Sequence, residues 1–285
     1  MKGIVMLGGS GSRLFPITKG TNKHLLSIYD KPLFYYPLST LMLAGIKEFL
    51  FVCSPDSMEA FKNSIGYGEE LGINIKYFSQ LEPDGIVGGL KLVAHAIEGS
   101  SVALILGDNI FHGSGMGRNL TKYADEGASR IFGFHVSNPS DYGVIKMSKN
   151  NTPQAIVEKP DVFVGNFVVP GLYFYDADLT LFLDRISKSE RGEYEISTLN
   201  SLLLENQKMQ VEILQRGTVW IDAGTPDRIK MAADYVATIQ ERLGYSIGNI
   251  HEIAFNNGWI TENSLRDLFN ESSNDSYSKY ILSLL

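Results

Sequence analysis

Residues 2–13 read Lys-Gly-Ile-Val-Met-Leu-Gly-Gly-Ser-Gly-Ser-Arg, a short apolar run that passes directly into a glycine-rich turn ending at Arg13. An apolar run from Lys2 to Leu7, cut off by glycine, is the pattern of a strand buried on both faces, the kind a parallel sheet uses. In an open parallel sheet, ligands sit in loops at the carboxyl ends of strands. Gly8, Gly9 and Gly11 let backbone amides approach phosphate oxygens, and Arg13 adds a guanidinium fork. A tight turn with no ligand is the other reading, but three glycines in four positions ahead of an arginine weigh toward phosphate. The dinucleotide fingerprint would need glycine where Leu14 stands, and the P-loop's Gly-Lys-Ser/Thr ending is absent.

Outward from this stretch the strand-then-helix reading repeats. Pro32 to Ala44 is expected as helix, stopped by Gly45, and Glu48 to Cys53 as a second buried strand. Ser57 to Ser64 (helix), Asn74 to Phe78 (strand), Ile86 to Ile97 (helix) and Val102 to Leu106 (strand) follow. The alternation predicts an α/β fold: a Rossmann-like, doubly wound, mixed but mostly parallel sheet flanked by helices. Ile131 to Val136, Gly143 to Met147, Ala155 to Glu158 and Phe167 to Tyr175 read as strands with few helices between them, a mixed or antiparallel extension. Leu179 to Ile186 and Ile196 to Glu205 are expected as helices, Gln210 to Leu214 and Thr218 to Ile221 as strands. Pro226 to Leu243 reads as a long helix capped by Thr225. From Gly244 the chain turns polar and broken, which predicts a small C-terminal helical appendage available to a neighbouring subunit.

The chain has 285 residues, enough for one large or two smaller domains at about 150 residues each. Its 25 basic against 32 acidic residues, net −7, form a surface that repels nucleic-acid backbones. No run approaches the roughly 18 apolar residues of a membrane span. The opening residues turn to glycine too early for a signal peptide. Cys53, the only cysteine, lies in an apolar run and has no disulfide partner in the chain. These features lead to an expectation of a reducing cytoplasm.

Candidate chemistry sits at the predicted strand ends. Asp108 follows Leu106-Gly107, where a carboxylate either holds Mg²⁺ beside a triphosphate or caps a turn. Asp222 has the same placement, and nothing in their separation brings the two together. Lys23 reads as a functional cation or a surface residue. Glu158-Lys159 offers a carboxylate for sugar hydroxyls and a compact charge for a phosphate, or an ordinary ion pair. The five histidines (24, 95, 112, 135 and 251) show no metal-ligand spacing, so oxygen ligands and magnesium are the expectation.

The stretch GGSGSRLFPITKGTNKHLLSIYDKP, from Gly8 to Pro32, resembles the signature of the sugar-1-phosphate nucleotidylyltransferases. The likeness continues through YYPLSTLMLAGI, Gln80 with Pro83-Asp84-Gly85, LGDNIFHG, YGVI, EKP, GLYFYD, RGEYEI, WIDAGT and EIAFNNGWI. It spans nearly the whole chain and is closest to the branch that joins dTTP to glucose 1-phosphate. The resemblance implies nucleotidyl transfer from a nucleoside triphosphate to a sugar 1-phosphate, with pyrophosphate released. It implies that Arg13, Lys23 and Lys159 are catalytic, and that Asp108 and Asp222 bind Mg²⁺. It assigns Leu7, Gly8, Gly9, Gly11, Ser12, Arg13, Gln80, Pro83, Asp84, Gly85 and Asp108 to the nucleotide. Asn109, Gly143, Glu158, Lys159, Val169, Gly171 and Arg191 fall to the sugar phosphate. It also implies a homotetramer with a regulatory nucleotide site, for which Arg216 and Glu252 are candidates. The expected division is a catalytic body over 1–243, nucleotide half about 1–130 and sugar-phosphate half about 131–243, with an appendage over 244–285.

Departures from the family pattern fall where base and sugar would be recognised. Leu7 stands for alanine, His24 for glutamine, Gly88-Gly89 for Gln-Ala, and Val169-Pro170 for Val-Thr. They leave open UTP or another sugar. A non-catalytic nucleotide-sugar regulator is the alternative from another class, but it would not need both metal carboxylates.

Overall fold

The computed structural model describes residues 1–9, 11–150, 152–269 and 275–285. Ser10 of the glycine loop and 270–274 of the expected appendage lie outside the described residues. The strands are β1 Lys2–Leu7, β2 Ser27–Ile28, β3 Lys31–Pro32, β4 Glu48–Cys53, β5 Asn74–Ser79, β6 Val102–Leu106, β7 Asn109–His112, β8 Arg130–His135, β9 Gly143–Met147, β10 Pro153–Glu158, β11 Phe167–Val168, β12 Leu172–Tyr175, β13 Gln210–Ile213 and β14 Val219–Asp222. The helices are α1 Tyr35–Leu43, α2 Pro55–Ile65, α3 Ile86–Ile97, α4 Met116–Glu126, α5 Thr180–Leu183, α6 Ile196–Glu205, α7 Pro226–Leu243, α8 Ile250–Asn256, α9 Glu262–Leu268 and α10 Ser276–Leu282.

The main sheet runs β10-β9-β11-β8-β12-β6-β1-β4-β5, with β13 beside β8. β1 lies between β4 and β6, parallel to both, with Gly3 opposite Phe49 and Lys2 opposite Val102. β4 and β5 continue the parallel half. From β12 outward the pairings to β6, β8, β11, β9 and β10 are antiparallel, and β13 joins β8 in parallel. The expected mixed α/β sheet is therefore present, with the parallel run β6-β1-β4-β5 built by the first 106 residues.

The two-residue period of β1 assigns its side chains to opposite faces. Ile4 and Met6 pack with Val87, Leu90 and Val93 of α3 and with Leu199 and Leu203 of α6. Val5 and Leu7 pack on the other face with Phe34, Leu38, Leu41 and Phe61. Fully burying each such side chain stabilises the fold by about 1.5–3 kcal/mol. A third cluster joins Ile110 of β7, Ile221 of β14, Tyr36 of α1 and Ala232 and Val236 of α7.

Two local expectations are corrected. The helix expected from Pro32 starts at Tyr35, because Lys31-Pro32 pairs with Ser27-Ile28 in a small hairpin. The hairpin strands β2 and β3, together with β7 and α4, lie outside the expected set. The C-terminal region is helical, and Ile250, Ala254, Leu265 and Ile281 belong to the cluster that holds Val5, Leu7 and Phe34. Among the described residues, no helix is long and apolar enough to cross a membrane.

Candidate active site

The carboxyl ends of β1, β6, β10 and β14 converge on one edge of the molecule. β14 runs antiparallel to β7, with Asp222 opposite Asn109, and the Ala223 amide donates to the Asp108 carbonyl at 2.8 Å. This short ladder brings together two aspartates 114 residues apart. Asp108 and Asp222 line one cavity of about 250 Å³ together with Arg13, Gly143, Glu158, Lys159, Val169, Gly171 and Arg191. A second cavity, about 500 Å³, is walled by Gly8, Gly9, Lys23, Gln80 and Pro83. Between them a third, about 380 Å³, shares Arg13, Lys23, Gly85 and Asp108 with its neighbours. Arg13, Lys23 and Asp108 thus stand where the first two spaces meet.

Both aspartates have a cationic partner. Lys23 Nζ lies 2.5 Å from Asp108 Oδ2, and Arg228 Nη1 lies 2.6 Å from Asp222 Oδ2. Burial works against the Asp108 charge, but Lys23 and His24, with hydrogen bonds from Lys23 and Asn109, outweigh it and hold the carboxyl at about 2. For Asp222 the balance is reversed. Burial raises its pKa and the Asp108 charge adds to the rise, against the pull of Arg228. Tyr142 donates to the other Asp222 oxygen at 3.2 Å. His24, at the family's glutamine position, is buried, and burial with the neighbouring Lys23 lowers its pKa to about 3. It is neutral, with Nδ1 near the Leu7 carbonyl at 3.1 Å and Asn22 Oδ1 at 2.8 Å.

Asn109 is buried. It donates from Nδ2 to Asp108 Oδ1 at 2.8 Å, and its Oδ1 accepts from the Gly171 amide and Trp220 Nε1. It therefore orients Asp108, with one N–H left for a ligand. A Cβ on Gly171 would meet Leu106 at 2.6 Å and Asn109 Oδ1 at 2.9 Å, so only glycine allows this approach. Glu158, raised by burial against a hydrogen bond from Ser197, faces the same cavity. Lys159 is exposed beside it. Arg191 lines the cavity too, but its guanidinium is held by Glu195 through Nε at 3.2 Å and Nη2 at 2.9 Å.

On the other side, Gln80 Nε2 donates to Asp84 Oδ1 at 2.8 Å and to the Gly85 carbonyl at 3.2 Å. A Cβ on Gly88 would lie 2.0 Å from that same Asp84 oxygen, so the Asp84 carboxylate occupies the space a side chain at 88 would need. Tyr194 ties this loop to the one bearing Arg191: its amide donates to the Asp84 carbonyl at 2.8 Å and its carbonyl accepts from Val87 at 3.4 Å. Gly11 precedes a short turn, Ser12–Leu14, with Ser12 exposed. Arg13 reaches the turn after Asp222, where a Cβ on Gly224 would stand 3.3 Å from its Nη2.

Leu7 is not among the residues that wall these cavities. Its side chain is fully buried on the α1 face, and it offers its carbonyl to Asn22 and His24. Asp84 is not among the residues that wall the cavities, and it reaches them through Gln80 and Tyr194. Arg216 lines a separate cavity with Phe111 and Tyr123, while Glu252 accepts from Tyr280, so these two candidates do not meet there. Sequence reading missed Arg228, Tyr142, Trp220 and Tyr194. Trp220 had a signal, since it shares a strand face with Asp222. Arg228 had only its place in the first turn of the helix after Asp222.

Two carboxylates fit a divalent ion that takes its remaining oxygen ligands from phosphates and water, the habit of magnesium. No third acidic or histidine group completes a protein-only metal cluster among the described residues.

A family model described as nucleotidyl transferase matches residues 2–238. The glucose-1-phosphate thymidylyltransferase of Mycobacterium tuberculosis is 42% identical over 285 residues, covering 100% of this chain and 99% of the relative. The enzyme of the same name from Neisseria meningitidis is 41% identical, with the same coverage. A Bacillus anthracis protein assigned that activity and crystallised with sucrose superposes with TM-score 0.75 at 29% identity, over 82% of this chain and 94% of its own. A UDP-glucose pyrophosphorylase bound to UDP-glucose shares the fold at TM-score 0.73 and 21% identity, over 85% of this chain and 99% of its own.

Proposed function

The chain belongs to the nucleotidyl transferase family, and from that premise we propose that it transfers a thymidylyl group from dTTP to α-D-glucose 1-phosphate. The observation that carries the reading is the junction of two cavities at Arg13, Lys23 and Asp108, with Lys159, Glu158 and Asp222 on the far side. A phosphate oxygen of the sugar 1-phosphate attacks the α-phosphorus. The bond from that phosphorus to the β-phosphate oxygen breaks, and pyrophosphate leaves in line. The nucleophile is already anionic, so no base and no covalent enzyme intermediate are needed. The protein's task is positioning and charge neutralisation.

The triphosphate fits the glycine-loop side, with its base toward Gln80 and Gly85. Arg13 neutralises the leaving pyrophosphate and Lys23 the charge beside it. Lys159 holds the incoming phosphate, and Glu158 the sugar hydroxyls. Asp108 and Asp222 would hold the divalent ion, Mg²⁺ by the hardness of the donors, which supplies Lewis-acid polarisation of phosphate oxygens when bound. The remaining parts of the reading are a nucleotide half about 1–130, a sugar-phosphate half about 131–243, a homotetramer, and a cytoplasmic location.

One observation favours a second reading, the same transfer with UTP or another sugar. Gln80 Nε2 is already spent on Asp84 and Gly85, so this amide is not free to donate to the base. Pyrophosphate release with a panel of triphosphates and sugar 1-phosphates decides between them. The expected result is fastest release from dTTP with glucose 1-phosphate, dependent on both substrates and on a divalent ion. A faster UTP pair selects the second reading, and release from no pair refutes both.

A further inference from the structure

Asp222 is occupied on both oxygens by its own chain. Arg228 Nη1 donates to Oδ2 at 2.6 Å and Tyr142 to Oδ1 at 3.2 Å. Arg228 is set by the start of α7, where Thr225 Oγ1 accepts from its backbone amide at 3.4 Å. Its guanidinium lies 5.6 Å from the Tyr142 ring centroid, and the exposed Asp141 is 3.7 Å from Nη2. Across the β7–β14 ladder, Lys23 neutralises Asp108 in the same way. Asp108 and Asp222 are thus each matched by a cation, with Asp141 at the edge of the second pair. A divalent ion approaching them meets paired lone pairs and two positive charges.

We propose that Arg228 competes with the divalent ion for Asp222, so that metal uptake depends on a phosphate ligand arriving with it. The inference rests on the metal assignment made above. A triphosphate brings negative charge to a site whose carboxylates are already neutralised. It gives the metal further oxygen ligands and gives the displaced guanidinium an acceptor. Arg228 is a positioning residue in this account: it sets when Asp222 becomes available.

The test is Mn²⁺ binding to the protein, followed by the electron paramagnetic resonance signal of unbound Mn²⁺, with and without dTTP, each read against the same Mn²⁺ and dTTP without protein. Wild-type protein is expected to bind Mn²⁺ weakly alone and tightly with dTTP. Arg228→Met is expected to bind Mn²⁺ about tenfold or more tighter without nucleotide, about 1.4 kcal/mol per factor of ten. Arg228→Lys should return to weak binding, and Asp222→Asn added to Arg228→Met should abolish the gain. Arg228→Gln serves if the Met variant fails to fold by circular dichroism. Unchanged or weaker Mn²⁺ binding in a folded Arg228 variant, with dTTP-dependent binding intact, overturns the proposal alone. No Mn²⁺ binding in any protein, even with dTTP, overturns the metal assignment and the proposal with it.

Discussion

Removing the Lys159 charge is expected to weaken the sugar phosphate and spare the triphosphate. Lys159 ends the strand β10 in a left-handed conformation, φ 41°, held there by its amide donating to the Tyr142 carbonyl at 3.0 Å. A hydrogen bond to a charged group contributes about 1.5–3 kcal/mol. The exposed position of Lys159 favours the lower end, which corresponds to about tenfold. Lys159→Ala should therefore raise KM for the sugar 1-phosphate about tenfold. Lys159→Gly should raise it equally, because the charge is lost in both. The two variants part in stability, since only glycine occupies φ 41° without strain. The relief is about 1 kcal/mol, or roughly 2–4 °C in Tm for a chain of this size. The assay is initial-rate pyrophosphate release with each substrate varied while the other is saturating, paired with thermal unfolding. A rise in KM for the triphosphate alone would show the two ends to be reversed. A difference in KM between the Ala and Gly variants would place the effect in the backbone.

Asp108→Asn should lower turnover about 10²-fold or more while the protein stays folded, and near-normal turnover at ordinary magnesium would remove Asp108 from the metal site. Leu7→Ala should cost about 2–5 kcal/mol of stability, measured by urea unfolding, and leave the dTTP-to-UTP preference unchanged, because its side chain lies in the core. Gly88→Ala should displace the Asp84 carboxylate, free Gln80 Nε2 and change the triphosphate KM about fivefold; an unmoved KM would detach Gln80 from base recognition. Buried His251 has its pKa lowered to about 4 by burial, so as pH falls the unfolded chain takes up the proton first. Its contribution is complete above 6.5 and is lost on going down toward 4, about 2 kcal/mol by pH 5. Replacing His251 by Gln should flatten the fall of Tm between pH 7 and 5 by a matching amount.

The parallel half of the sheet was legible because β1, β4 and β6 are short apolar runs, and because the more polar edge strand β5 follows Gly72 and precedes the Pro83-Asp84-Gly85 turn. The face that Leu7 takes was not. In a strand buried on both sides Ile4, Val5, Met6 and Leu7 are all apolar, so the two-residue period leaves no trace in composition. Helix α4 was missed because Gly115 at its start offers no capping side chain and its sequence is largely polar. The aspartates were each legible as strand-end carboxylates. Their meeting depends on β7, a four-residue strand that in sequence looks like the tail of the turn after β6. Arg228 carries no mark of its own, since an arginine in a helix's first turn is ordinary until the fold puts a carboxylate beside it.

The C-terminal helices have a consequence for anyone who trims the chain. The family match stops at residue 238, which invites a truncated protein ending there. Such a protein would lose Ile250, Leu265 and Ile281, all fully buried in the cluster that also holds Phe34, Leu38 and Leu41. At about 1.5–3 kcal/mol for each, their absence removes a sum comparable with the roughly 5–15 kcal/mol that keeps a typical protein folded. It would also expose an apolar strip along α1, the surface on which unfolded copies stick to one another. The tail beyond residue 238 is a lid sewn onto the core, and a shortened protein that precipitates on expression would say nothing about its active site.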